Sequence, residues 1–278
     1  MLRKLAVLGS PIEHSKSPAI HSAAYRVLGL NWEYEKIEVR KGGLRPFLEN
    51  LDADWLGLSL TMPLKEEAAR LAENLDAAAE LTGAANTLVR TETGWSGYNT
   101  DIFGIAQAVR QAGIGDIKTV LILGSGATAT SAVTAIAELA PEAKVMVFAR
   151  NGNARVDLVN FAKSLRLDAR SVRRLAPHAK RADLTISTLP GGALDETAAK
   201  LSRKGLNPVG AIFDVAYSPW PSAFAGVWQR AGRPIISGLE MLLWQAVAQI
   251  RIFQNGDREL PLLNEVAVIE AMRHALDQ

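Results

Sequence analysis

Short apolar runs alternate with amphipathic stretches along almost the whole chain, and few folds tolerate that pattern. Leu5–Leu8, Trp55–Leu60, Val120–Leu123, Val145–Ala149, Leu184–Ser187 and Ala211–Val215 read as buried strands. Between them, Ser17–Leu28, Leu64–Asn74, Asp101–Ala112 and Ala127–Ala140 carry the helical period. Strands and helices taking turns at this spacing predict an α/β protein built on parallel sheets. Local signals agree: Ser17 before Pro18 reads as an N-cap with proline in the first helical turn, and Gly29 stops the same helix.

The chain has 278 residues, enough for two domains. A break at Gly113-Ile114-Gly115-Asp116 gives a first domain over 1–113 and a second over 114–237. Residues 238–278 read as two helices interrupted at Asn255-Gly256-Asp257 and Pro261, and the pattern alone leaves open which domain they join. The 31 basic and 29 acidic residues leave a net charge of +2, which gives no whole-chain case for a nucleic-acid or membrane partner. Lys163–Arg181 is locally basic, but it lacks interleaved aromatics and reads as a solvated surface rather than a phosphate-tracking face. The absence of cysteine rules out disulfides and thiolate metal sites and suits a reducing cytoplasm. His14, His21, His178 and His274 have no metal-ligand spacing. The apolar run near the start is too short for a signal peptide, and no stretch is long and apolar enough for a membrane span.

The most informative binding motif follows the strand Lys118–Leu123. Gly124-Ser125-Gly126-Ala127-Thr128-Ala129 is a G-x-G-x-x-A turn that opens a helix, and the strand Lys144–Ala149 completes a βαβ unit. Gly124 allows the tight turn, Gly126 lets backbone approach a pyrophosphate, and Ala129 is small enough for helix and strand to pack closely. The helix start adds free N–H groups and a partial positive charge. The second strand ends in Ala149-Arg150-Asn151-Gly152-Asn153-Ala154-Arg155, with no acid to bond ribose hydroxyls. Arg150 and Arg155 are instead suited to a 2′-phosphate, so NADP is expected over NAD. Thr188, just beyond another strand's C-terminal end, is a further expected cofactor contact.

Polar clusters follow the strands of the first half. Ser15 and Ser17 lie beside a helix start and suit a carboxylate, although capping alone would explain Ser17. Strand alternation turns Ser59 and Thr61 to one side. Lys65 falls in the first turn of the next helix, where it opposes the macrodipole and gains nothing as a structural cation. Gly83-Ala84-Ala85-Asn86-Thr87 and Gly97-Tyr98-Asn99-Thr100-Asp101 flank an expected hairpin. Asp101 stands where a helix cap would stand, and the sharper reading pairs it with Lys65.

These motifs, in this order, resemble the shikimate dehydrogenase (shikimate/quinate dehydrogenase) family over nearly the whole chain. The resemblance rests on the SKSP loop at Ser15–Pro18, the S-x-T-x-P-x-K run ending at Lys65, the GAANT run at Gly83–Thr87 and the NTD of Asn99–Asp101. The second half adds Phe213-Asp214-Val215-Ala216-Tyr217-Ser218-Pro219 and Gly238-Leu239-Glu240-Met241-Leu242-Leu243-Trp244-Gln245. The resemblance implies an N-terminal α/β substrate domain, a Rossmann-type NADP domain, and C-terminal helices returning to the first domain. It implies reversible reduction of 3-dehydroshikimate to shikimate with NADPH, on the chorismate route to aromatic amino acids. Lys65 and Asp101 would be the catalytic pair, with Ser15 and Ser17 on the substrate carboxylate. Ser59, Thr61, Asn86, Asp101 and Gln245 would meet its hydroxyls, with Tyr217 nearby. Gly124, Ser125, Gly126, Ala127, Thr128, Arg150, Asn151, Arg155, Thr188, Val215 and Gly238 would line the cofactor.

Two departures stand out. The family usually has Asn at Ser59, and its glycine-rich turn commonly reads GAGGAARA where this chain has GSGATAT, so that Ala127 replaces a glycine and Thr130 an arginine. The alternative activity is a quinate/shikimate dehydrogenase of relaxed substrate or cofactor preference. The implied partners are the small-molecule substrate and, as an open assembly, a second copy in a homodimer.

Overall fold

The structure, a computed structural model, describes residues 2–277. In chain order it begins with β1 (Arg3–Gly9), α1 (Ser17–Leu28), β2 (Trp32–Glu38), α2 (Leu44–Glu49), β3 (Trp55–Leu60) and α3 (Lys65–Leu71). Then come β4 (Asn74–Leu75), α4 (Ala77–Thr82), β5 (Thr87–Arg90), β6 (Trp95–Tyr98) and α5 (Asp101–Gln111). The middle holds β7 (Thr119–Leu123), α6 (Ala127–Leu139), β8 (Lys144–Phe148), α7 (Gly152–Ser164), β9 (Asp168–Ser171) and α8 (Leu175–Ala179). It closes with β10 (Leu184–Ser187), α9 (Asp195–Arg203), β11 (Ala211–Asp214), α10 (Ala225–Arg230), β12 (Ile235–Ser237), α11 (Gly238–Asn255) and α12 (Glu265–Leu276).

Two compact units result. One joins the chain up to Gly104 with the segment from Leu242 onward, and the other is Ile105–Met241. The divisions fall inside α5 and α11, not at the Gly-rich break near 113 or at 237. Turn chemistry marks where a helix ends, whereas packing decides which unit each of its turns belongs to.

The first unit has a six-stranded sheet in the order β2-β1-β3-β5-β6-β4. It is mixed, not parallel as the alternation predicts: β1 runs parallel to β2 and β3, but β5 runs antiparallel to β3 and β6. The link from β5 to β6 is the tight turn Thr91–Gly94, closed by Thr91 N–H on the Gly94 carbonyl, and a turn that short permits only antiparallel pairing. Strand β2 escapes the sequence pattern because it is a sheet edge whose Glu33, Glu35 and Lys36 face outward, which also blunts the edge against foreign strands. Leu8, Leu58, Leu60, Leu64 and Leu88 pack with Trp55 and Trp95 into the core. The C-terminal helices belong to this unit. Helix α12 packs on α1, Lys16 Nζ donates to the Leu276 carbonyl at its C-terminal end (2.6 Å), and Arg251 of α11 grips both oxygens of Glu265 (2.5 and 2.8 Å).

The second unit is a parallel sheet in the order β12-β11-β10-β7-β8-β9. The chain enters at the centre on β7, winds out to β9, crosses back to β10 and winds out to β12. This is the doubly wound order, with its switch point between β7 and β10, outside whose C-terminal ends such sheets hold ligands. Leu121, Leu123, Ile212, Phe224 and Trp228 form its core. Among the described residues no helix is long and apolar enough to cross a membrane, and no group of three His, Cys, Asp or Glu is arranged to hold a metal ion.

Candidate active site

In the first unit the polar residues converge on Asp101. Helix α3 starts on Lys65 itself, after the turn in which Leu64 N–H bonds the Thr61 carbonyl at 2.8 Å. Strand β1 passes that turn so closely that a Cβ on Gly9 would lie 2.3 Å from Thr61 Cγ2 and 2.9 Å from the Met62 carbonyl oxygen, which explains a glycine there. Lys65 Nζ donates to Asp101 Oδ2 at 2.5 Å, with the two side chains only 13% and 4% exposed. Asp101 Oδ1 accepts from Asn86 Nδ2 at 2.8 Å. Asp101 is therefore no cap: its own N–H goes to Asn99 Oδ1 at 3.0 Å, while its carboxylate faces Lys65 and Asn86.

The orientation of Asn86 is dictated by its neighbours. Its Oδ1 accepts from the Thr100 backbone N–H (2.9 Å) and the Thr87 hydroxyl (2.9 Å), and its Nδ2 faces the carboxylate and Thr100 Oγ1 (2.9 Å). A backbone N–H can only donate and a lysine-paired carboxylate accepts, so the amide has one allowed flip. Gln245 lies at the rim of this cluster, its Oε1 3.4 Å from Asn86 Nδ2 and its Nε2 on the Leu242 carbonyl at 2.9 Å.

Ser59 and the α1 start lie in a connected network. Tyr34 donates its hydroxyl to Ser59 Oγ at 2.7 Å, and Ser59 donates to Gln249 Oε1 at 2.9 Å. Gln249 Nε2 bonds the Asn86 carbonyl (3.2 Å) and Thr87 Oγ1 (3.0 Å). Ser17 is buried, and burial pushes up the pKa of the Tyr34 hydroxyl. Ser17 is not the cap expected of it: α1 begins at Ser17 with Lys16 at the cap position and no side-chain cap bond there, and the Ser17 N–H reaches Ser15 Oγ at 3.3 Å in a local turn. Behind Tyr34, His21 stacks on its ring (centroids 3.9 Å apart) and meets the Tyr25 hydroxyl through Nδ1 at 3.0 Å. Burial pushes the His21 imidazole down to about 3. Thr87, Asn99 and Thr100 of the GAANT and NTD runs join the network with no role of their own expected from the sequence, and Tyr34 and Gln249 join it from outside any motif. Gln249 had a signal, lying four residues after Gln245 and thus on the same helix face, whereas Tyr34 had none.

In the second unit, Gly124 has φ +116°, and a Cβ on it would sit 2.3 Å from Thr188 Oγ1, whose hydroxyl donates to the Leu123 carbonyl at 2.8 Å. Glycine is required on both counts. Gly126 precedes α6 with no side-chain cap, leaving the first-turn N–H groups of Ala127 and Thr128 without one, and Ser125 is half-buried beside it. Ala129 is fully buried against the sheet. After β8 the three polar residues divide their work. Asn151 caps α7 by accepting from Asn153 and Ala154 N–H (3.1 and 3.2 Å), Arg155 braces the turn through the Ala149 carbonyl (3.0 Å), and Arg150 is exposed. Gly238 passes Val215 so closely that a Cβ would lie 2.0 Å from the Val215 carbonyl oxygen. Tyr217, expected near the substrate, lies in this second unit, half-buried in the loop after β11.

A doubly wound unit with a phosphate-type turn, joined to an α/β unit that buries a lysine–aspartate pair, defines a dinucleotide-dependent oxidoreductase of two units. Comparison with known proteins narrows the class. Residues 7–88 match the family model described as the shikimate dehydrogenase substrate binding domain. A shikimate dehydrogenase (NADP(+)) of Nitrosopumilus maritimus is 32% identical over 91% of this chain and 93% of its own length. The crystal structure of Mycobacterium tuberculosis shikimate dehydrogenase is 40% identical, covers 99% of both chains and superposes with a TM-score of 0.85. That of Thermus thermophilus shikimate 5-dehydrogenase in complex with NADP(H) and shikimate is 29% identical over 98% of this chain and 99% of its own, with a TM-score of 0.82. The chain belongs to the shikimate dehydrogenase family.

Proposed function

We propose that this protein is an NADP-dependent shikimate dehydrogenase that interconverts 3-dehydroshikimate and shikimate on the chorismate route to aromatic amino acids. The observation that carries the reading is the buried Lys65–Asp101 pair, held in one geometry by Asn86. The relatives support it, being named NADP(+) enzymes, one with NADP(H) and shikimate bound.

The residues fit a dinucleotide on physical grounds. Gly124 leaves the switch point open where a side chain would meet Thr188, the uncapped start of α6 suits a pyrophosphate, and exposed Arg150 suits a 2′-phosphate. Ser125, Ala127 and Thr128 would line the phosphates, with Asn151 and Arg155 shaping the Arg150 turn and Thr188, Val215 and Gly238 framing the remainder. When bound, NADPH supplies the hydride.

The chain's own residues handle charge and position. Negative charge grows on the substrate's ketone oxygen as its carbon is reduced, and Lys65 is the cation placed to stabilise it and to hold a proton at that oxygen. One of the three ammonium protons bonds Asp101, which orients the others. Asp101 accepts from two donors, so its role is to hold Lys65 and Asn86. Ser15 and Ser17 would take the carboxylate, and Ser59, Thr61, Asn86, Asp101 and Gln245 the ring hydroxyls, with Tyr217 a further expected substrate contact. The lack of cysteine fits a cytoplasmic enzyme, and a homodimer is the assembly that sedimentation would test.

Because Ser59 replaces the family's usual Asn, quinate is the competing substrate. Steady-state rates with shikimate and quinate, each with NADP and NAD, test the proposal. Shikimate with NADP should give the highest kcat/KM, and faster turnover of quinate, or of NAD, would overturn that half of the assignment. Lys65→Ala should reduce kcat far more than substrate binding; lost binding with turnover intact would remove Lys65 from the chemistry.

A further inference from the structure

The hydrogen-bond network around Ser59 has a fixed direction, and this bears on which groups the site can recognise. Two obligate groups anchor it: the Thr100 backbone N–H, which donates to Asn86 Oδ1, and the Asn86 backbone carbonyl, which accepts from Gln249 Nε2. Thr87 gives its hydroxyl proton to Asn86 Oδ1 and so accepts from the same Gln249 amide. Gln249 must therefore turn Oε1 toward Ser59, Ser59 must donate to it, and Tyr34 must donate to Ser59. A hydroxyl oxygen has one proton and two lone pairs. On Ser59 the proton and one lone pair are taken, and one lone pair is left.

We propose that Gln249 and Tyr34 are positioning residues that fix Ser59 as a pure hydrogen-bond acceptor toward the substrate, so that the ring carbon it meets must carry a hydrogen-bond donor. The inference rests on shikimate being the substrate and on Ser59 being among its contacts. An asparagine, with an amide donor as well as an acceptor, would take either partner at that carbon. This serine takes a hydroxyl and rejects a ring carbon bearing an acceptor only, because two lone pairs would then face each other in a site where Ser59 is 5% exposed.

The test is the KM and kcat of the intact enzyme for shikimate and for analogues in which each ring hydroxyl away from the reacting carbon is replaced in turn by fluorine. Fluorine is close to a hydroxyl in size and donates nothing. At one position the substitution should raise KM about ten- to a hundred-fold, the usual weight of an unmatched buried hydrogen bond, with kcat little changed. In Ser59→Ala the analogue and shikimate should converge. Gln249→Met releases the Ser59 proton and should shrink the fluorine penalty several-fold, whereas Tyr34→Phe leaves that proton on Gln249 and should leave the penalty in place. A merely structural role would not separate these two variants. Fluorine tolerated at every position, or a penalty that survives in Ser59→Ala, overturns the inference even while shikimate is turned over. No turnover of shikimate at all instead removes the proposed function, and this inference with it.

Discussion

Changing Asp101 to Asn is the most telling perturbation of this site, because the structure leaves the new amide no acceptable orientation. Oδ1 of Asp101 accepts from Asn86 Nδ2 and Oδ2 accepts from Lys65 Nζ. Asn86 cannot flip in response, since its own Oδ1 is held by the Thr100 N–H. Whichever way the amide turns, its NH2 meets a donor. With side chains 4% and 13% exposed, water is a poor substitute. One unmatched buried donor costs about 1–3 kcal/mol and a buried lysine without its counter-charge raises the total to the order of 3–5 kcal/mol. At about 2–4 °C per kcal/mol for a chain of this size, melting of the first unit should fall by roughly 10 °C. Turnover should fall by about 100- to 10,000-fold, because Lys65 loses both its orientation and its charge partner.

A swap separates the two effects. In Asn86→Asp with Asp101→Asn, the carboxylate at 86 accepts from Thr100, Thr87 and the new amide, and the amide oxygen at 101 faces Lys65. Every bond of the core triad is matched again, but the charge sits one residue further from the ammonium. Stability should recover in large part and kcat should not. Both are read from thermal melts and NADP reduction on the same preparations. If Asp101→Asn keeps kcat within tenfold of the parent, Asp101 is only a helix-start residue and the reasoning fails.

Three further outcomes follow from the same geometry. Arg150→Ala should raise KM for NADP about ten- to a hundred-fold, the weight of a charge-assisted hydrogen bond, and leave KM for NAD alone; equal effects on both would place the 2′-phosphate elsewhere. Gly124→Ala should raise KM for NADP and lower stability by about 1–3 kcal/mol, because φ +116° and the nearby Thr188 Oγ1 both oppose a Cβ; unchanged melting and binding would show that the turn adapts. His21 is pushed down to about 3, so between pH 6.5 and that value the unfolded chain takes up a proton the folded chain refuses. Stability should therefore fall as pH drops below 6.5, by up to about 1.4 kcal/mol per pH unit from this one group, and the slope should flatten in His21→Leu; identical slopes between pH 6.5 and 5 would contradict a neutral buried imidazole.

The four central strands and the phosphate turn of the second unit were legible in the sequence, because what defines them is local, whereas its short edge strands β9 and β12 were not. A strand, a glycine turn and a helix packed through Ala129 lie within one βαβ segment, and the strand ends that carry Thr188 and Arg150 can be counted off. The first unit was legible from periodicity in β1, α1, β3 and α3 and, at Lys65, from an odd place at a helix start, whereas that the Asp101 carboxylate does no capping is visible only in the structure. Its sheet was harder to read, since edge strand β2 alternates charge with apolar residues and the β5–β6 turn reverses direction within four residues. The network behind Ser59 was out of reach for a different reason. Its direction is set by two backbone groups, the Thr100 N–H and the Asn86 carbonyl, and side-chain letters do not say where backbone donors and acceptors point.

That same direction explains why Ser59 should not be considered alone. Tyr34 lies 2.7 Å and Gln249 2.9 Å from its oxygen, and the residue is almost fully buried. A longer asparagine at this position would have to displace one of them, so serine at 59, tyrosine at 34 and glutamine at 249 form one hydrogen-bonded unit. Gln249 reaches back through Asn86 to the carboxylate that holds Lys65. Ser59 and Lys65, the proposed contacts of a substrate hydroxyl and of the developing alkoxide, are therefore two ends of a single hydrogen-bond chain. A change at the Ser59 end is then expected to show in KM rather than kcat, and a change at Lys65 is not expected to alter which hydroxyl Ser59 accepts, because the backbone groups that orient Gln249 lie between them.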